Sequence, residues 1–200
     1  MGNFAVHFNS NLACAISIKT SGPIPMKYEV CEITVLPLDS FYRPNKNFQL
    51  LNLSIQPIGS EHSGTHMSEA KFLKYKSNGY PSDKSAWLFE HWYAKLNLGK
   101  EKRIIPFCYD WPLTKMFLGD WLGFSYLDLY FSPEYRDPTC IAAFQNDMAD
   151  WNSRQIPYPK TKFSYLLSQS KIEHDKLDDT LTRARQISEL YQVLLKKSFI

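Results

Sequence analysis

The stretch Leu12-Ala-Cys-Ala-Ile-Ser-Ile18 is almost wholly apolar and stops abruptly at Thr20-Ser21-Gly22-Pro23. A run this short, closed by a cluster of turn residues, reads as a buried strand. "YEVCEITVLPLD" and "FQLLNLSIQP" follow at close spacing, each bounded by proline or polar turn residues. Three sequential strands with short links favour an antiparallel meander, because a parallel return needs a long crossover. A chain that opens in this way must cover both faces of a sheet with whatever comes next.

What comes next is mostly helical. After the polar stretch Gly59 to Gly64, "SEAKFLKYKSNG" predicts a helix with a C-cap at Asn78-Gly79. "SDKSAWLFEHWYAKLNLG" predicts a second one, with Ser82 as N-cap and a stop at Gly99. "KRIIPFCY" returns to strand, "LTKMFLGDWLG" reads as a short helix, and "FSYLDLYF" alternates as a further strand. From Asp137 the pattern is helical, with Pro138 in a first turn, then "KTKFSYLLSQS". A last amphipathic helix carries Leu177, Leu181, Ala184, Ile187, Leu190, Tyr191 and Leu194 on one stripe. No repeat, low-complexity tract or long linker divides the 200 residues, so a single mixed α/β domain over 1–200 is expected.

Composition narrows the function classes. Hydrophobic residues at 44% and charged residues at 22% are ordinary for a globular chain. A net charge of +3 is too small to argue nucleic-acid binding by itself. Aromatics reach 15%, and most of Trp87, Trp92, Trp111, Trp121 and Trp151 are expected to serve helix packing and core. Cys14, Cys31, Cys108 and Cys140 lack zinc-ligand spacing and a disulfide framework, so buried reduced thiols and a cytoplasmic location are expected. The N-terminus has no secretory pattern, Val6 breaks a myristoylation signal, and no apolar run has membrane-spanning length.

The element order and three local strings resemble the DEDDh-type 3′–5′ exonucleases, the group that includes ribonuclease T and the proofreading subunit of the bacterial replicative polymerase. In that family the first strand ends in Asp, an apolar residue, Glu, Thr, a small residue and Gly. Here it reads Ser17-Ile18-Lys19-Thr20-Ser21-Gly22. The second motif is His-Asn, two residues, then Phe-Asp; here Tyr109-Asp110 and Leu113-Thr114 stand at those positions. The last is His, x, Ala, two residues, Asp, and here His174 and Asp179 remain with Lys176 between them. "RDPT" also resembles the Asp-Thr that opens a helix after the fifth strand.

The resemblance implies a ribonuclease H-like exonuclease fold. Its central mixed sheet would have five strands, a meander of strands 1–3 followed by strands 4 and 5, flanked by helices. It also implies a damaged site. The family holds two divalent metals about 4 Å apart, which activate water and stabilise a leaving oxygen. Such hard cations need carboxylate oxygens. Ser17 and Thr114 offer hydroxyls, the Lys19 ammonium repels a cation, and Asp179 is the only remnant ligand. His174, the family's general base, would have no activated water to deprotonate.

The expected function is therefore a catalytically silent exonuclease-like protein needing no cofactor. It would bind a single-stranded nucleic-acid end, or a protein partner, as a regulator or decoy. Lys19, Thr20, Tyr109, Trp111 and His174 are the candidate nucleic-acid contacts. The competing expectation is an active 3′–5′ exonuclease using Mg or Mn in a rebuilt site, drawing on Asp110, Asp175 or Asp178. By resemblance the chain fits a small bacterial or bacteriophage protein, in the host cytoplasm if viral, with a homodimer among its states. Read by themselves, the acids of "EHDKLDD" are favourable first-turn residues, with Asp179 able to pair with Arg183. His7, His62, His66 and His91 show no ligand pattern and read as surface or structural residues.

Overall fold

The computed structural model describes residues 9–173 and 179–197. Strands β1 (Leu12–Thr20), β2 (Val30–Pro37), β3 (Leu51–Ser54) and β4 (Ile104–Phe107) form one sheet in the order β3-β2-β1-β4. The first three are the expected antiparallel meander, while β4 lies parallel to β1. Between β3 and β4 run α1 (Glu69–Asn78) and α2 (Ser82–Lys95), the crossover that a parallel return requires.

Strand alternation sorts the core into two layers. Leu12, Cys14 and Ile16 of β1 join Ile33 and Val35 of β2 on one face, packed with Phe89 of α2. Helix α3 (Trp111–Leu122) and helix α4 (Phe124–Tyr130) complete that layer through Leu118 and Leu127. Ala13, Ala15 and Leu36 face the opposite way. They are covered by α5 (Pro138–Trp151), α6 (Phe163–Gln169) and α7 (Thr180–Lys197). On α7 the predicted stripe is buried at Ala184, Ile187, Leu190, Tyr191 and Leu194; Leu181 is half-buried and Leu177 lies outside the described residues.

The sheet has four strands among the described residues, not five. "FSYLDLYF" forms helix α4, because Phe124, Leu127 and Phe131 recur at helical spacing and bury Leu127. Only two isolated parallel bridges, Ile104 with Phe131 and Phe107 with Arg136, stand where a fifth strand was expected. Pro133 lies between them and has no N–H to extend a ladder.

Helix ends also differ in detail. Ser82 is the first residue of α2 and Pro81 holds the cap position. Gly79 ends α1 in an extended conformation rather than a left-handed one. Asp137 caps α5 as its Asp-Pro sequence implies, accepting from the N–H of Thr139 at 2.8 Å. Trp92 and Trp111 are buried and Trp121 packs against the same core, so most of the tryptophans take the expected packing role, while Trp87 and Trp151 are exposed. The four cysteines are free; Cys140 is exposed, unlike the other three. No described helix is long and apolar enough to cross a membrane.

Candidate functional site

Parallel pairing of β1 and β4 brings their C-terminal ends to one side of the sheet, where the loop after β4 and the start of α7 close a cavity of about 320 Å³. Such a crevice at strand ends is where α/β sheets bind ligands. Ser17, Lys19, Thr20, Tyr109, Thr114 and Asp179 all line it. These positions span more than 160 residues of sequence, and the fold gathers them at one point. Asp110 also lines it, at the exposed rim. His174, Asp175 and Asp178 lie outside the described residues.

Each side chain has a definite state. Ser17 is 4% exposed, and its hydroxyl has no hydrogen-bond partner among the described residues. Thr20 donates its hydroxyl proton to the carbonyl of Gly22 at 2.8 Å, so its oxygen accepts from Nε2 of His66 at 3.1 Å. Thr114 is buried, and its hydroxyl accepts from the Cys108 thiol at 3.4 Å. Burial pushes that thiol up to about 12, so it stays protonated. Asp110 adopts a left-handed backbone at φ 55° and caps α3, its carboxylate receiving the N–H of Leu113. Its own N–H donates to Asp137 at 2.9 Å, which ties the end of β4 to the start of α5.

Asp179 is committed to α7. Its two carboxylate oxygens accept the N–H and the hydroxyl of Thr182, at 2.8 and 2.9 Å. Among the described residues no ion pair joins it to Arg183. The Arg183 guanidinium instead lies over the rings of Phe163 and Tyr109, 5.2 and 5.9 Å from their centroids. Trp111 does not face the cavity. It is 3% exposed and packs edge-on against Phe131 in the core, leaving no ring face for a base.

Four contributors escaped the sequence reading: Glu32, His66, Lys71 and the placement of Arg183. Glu32 stands opposite Lys19 in the β1–β2 register and is buried. Thr180 donates its hydroxyl to one carboxylate oxygen at 2.7 Å, and the Tyr75 phenol donates to the other. Thr180 also meets Thr34 at 2.7 Å, so this polar knot pins α7 and α1 to β2. A lone acid inside "VCEITVLP" was the one sequence signal for it. Tyr75→Phe is expected to cost about 1–3 kcal/mol, because it leaves a buried carboxylate oxygen short of a donor. A urea midpoint unchanged from the parent would refute the knot.

Lys19 and Arg183 line the cavity together with Asp110 and Asp179. Burial, then a hydrogen-bonding contact and charge repulsion from Lys71, bring Lys19 down to about 8; Glu32 opposes and Arg183 reinforces the shift. His66 is also pushed below its ordinary value, by burial and then by Lys19 and Arg183. Burial, followed by the hydrogen bond and charge of Glu32, drives the Tyr75 phenol far up. Among the described residues no three His, Cys, Asp or Glu side chains converge as a metal-binding group.

No model of a protein family matches the sequence, and no curated protein matches it. Solved structures do. The nuclease domain of 3′hExo, a DEDDh family member, superposes with a TM-score of 0.62 at 13% identity, over 94% of this chain and 92% of that one. Cell-death related nuclease 4 gives 0.65 at 11% identity, over 98% of this chain and 65% of the other. Exonuclease I gives 0.65 at 11% identity, over 93% of this chain and 41% of the other. The chain thus spans nearly all of the first, about two thirds of the second and less than half of the third. With its antiparallel meander, parallel β4 and cavity at the strand ends, the chain has the fold of the DEDDh-family 3′-exonucleases.

Proposed function

We propose that this chain is a catalytically silent exonuclease-fold protein that binds single-stranded nucleic-acid ends without a divalent metal. The observation that carries the reading is Lys19: an ammonium lines the cavity where the resemblance calls for a carboxylate. The remaining donors do not fit a pair of hard divalent ions. Ser17 and Thr114 are neutral hydroxyls, and the one aligned carboxylate, Asp179, is spent on its helix cap. A cavity that presents Lys19 and Arg183, with a half-buried Tyr109 at its wall, suits a phosphate backbone and a stacked base. Two proteins of this fold have been solved with such ligands, 3′hExo with rAMP and E. coli exonuclease I with single-stranded DNA.

The deciding experiment incubates purified protein with end-labelled single-stranded DNA and RNA, in magnesium, in manganese and in chelator. The expected result is binding in all three and shortening in none. Metal-dependent shortening from the 3′ end would sink the silent reading in favour of a rebuilt site. No binding to either strand would remove the nucleic-acid reading altogether.

A pH profile follows from the charges around Lys19. At pH 7 Lys19 carries its proton and both it and Arg183 attract phosphate, with Lys71 adding to the field and Glu32 and Asp179 opposing it. A lysine held near 8 loses its charge as pH rises through that value, and His66, already depressed, is neutral across this range. Affinity in chelator is therefore expected to fall severalfold between pH 7 and 9.5. Lys19→Met should bind weakly and with a flatter profile; an equally steep fall in that variant would refute the assignment.

A further inference from the structure

We infer that the cavity selects a strand end carrying a terminal phosphomonoester over one ending in a hydroxyl. This rests on the nucleic-acid reading above and sharpens its ligand. Two cationic side chains line the cavity, Lys19 from β1 and Arg183 from α7, and a third, Lys71 of α1, stands beside Lys19. Among the described residues three acids stand near them, and Asp179 and Asp110 line the cavity themselves, each engaged by a helix cap. Glu32 is held by Thr180 and Tyr75, Asp179 by Thr182, and Asp110 by the N–H of Leu113.

Charge then decides between ligands. An internal phosphodiester brings one negative charge, whereas a monoester carries about 1.5 to 2 near neutral pH and three acceptor oxygens. Lys19 and Lys71, held side by side, repel one another and gain most from a dianion between them. Arg183 is seated on Phe163 and Tyr109, and no hydrogen bond or ion pair to its guanidinium occurs among the described residues. Its fork of donors is preorganised for a second phosphate oxygen. Ser17, at the buried base of the cavity, has an unspent hydroxyl among the described residues. A hydroxyl end would offer only the single charge of its nearest phosphodiester. The volume, about 320 Å³, is at the lower bound of small-molecule sites of about 300–1,000 Å³, enough for one terminal group.

The test measures fluorescence anisotropy of the full chain in chelator at pH 7. Short internally labelled oligonucleotides of one sequence would end in a 3′-phosphate, a 5′-phosphate or hydroxyls only, with inorganic phosphate and a mononucleotide as competitors. A phosphorylated end is expected to bind at least about tenfold more tightly than the hydroxyl form, and the two phosphate arms identify which end enters. Arg183→Gln and Lys71→Gln, both on helix surfaces, should reduce that preference while far-UV circular dichroism and thermal midpoint stay unchanged. Equal binding of all three oligonucleotides would overturn the monoester inference and leave the nucleic-acid reading standing. No binding by any would overturn both. Competition by free phosphate or the mononucleotide as tight as the phosphorylated strand itself would overturn selection of a strand end.

Discussion

Lys19→Glu is expected to weaken single-strand binding in chelator by about 100-fold. A charge-assisted hydrogen bond is worth about 1.5–3 kcal/mol, and tenfold in affinity corresponds to about 1.4 kcal/mol. Loss of the ammonium alone therefore accounts for about tenfold, which Lys19→Met should show. Reversal adds repulsion between the new carboxylate and the phosphate, supplying the second factor of ten. The new carboxylate would also stand opposite Glu32 in the β1–β2 register, so its stability needs checking by thermal melting. A folded Lys19→Glu protein that binds as the parent does would remove Lys19 from the site. A Lys19→Glu variant that gained magnesium-dependent trimming would show instead that the neighbouring groups still accept a metal.

Gly79→Ala is expected to destabilise the fold by about 3 kcal/mol, the upper part of the usual range for overpacking. The backbone angle is ordinary, so the cost comes from space and not from strain at the residue. A Cβ at this position would stand 2.5 Å from the backbone N of Gln56, 2.6 Å from the carbonyl carbon of Ile55 and 2.6 Å from the carbonyl oxygen of Tyr75. None of these is a side-chain tip able to swing aside. The chain here is bonded on both sides: Tyr80 donates its N–H to Ser54, and Gln56 donates to the carbonyl of Tyr80. Relief would require α1 to move away from the end of β3, taking Tyr75 and Lys71 with it. Chemical denaturation should register the loss as a lower midpoint at unchanged slope. Gly64→Ala is the control, since nothing lies within 4 Å of a Cβ there, and it should shift stability by less than about 0.5 kcal/mol. Equal midpoints for the two variants would refute the close approach.

The misread segment shows how far local pattern reaches. "FSYLDLYF" alternates well enough for a strand, and the same letters place Phe124, Leu127 and Phe131 at helical spacing. Contact with α3 and burial of Leu127 decide for the helix. Trp111 illustrates the same limit at the site. Its position beside Tyr109 and Asp110 suggested a ligand contact, but one residue further along a helix turns the side chain by about 100° and sends it into the core.

The sequence by itself determined the meander and the helical second half, because strand and helix periodicities and turn residues are local properties. It also carried the identities of Ser17, Lys19, Thr114 and Asp179. Only the tertiary structure decided that these converge on one cavity, that Asp179 is used by its own helix, and that Glu32, His66, Lys71 and Arg183 stand beside Lys19. The reason is physical. The charge state of a site depends on distances between residues far apart in the chain, and those distances are set by strand pairing and by the docking of α7 on β1 and β2.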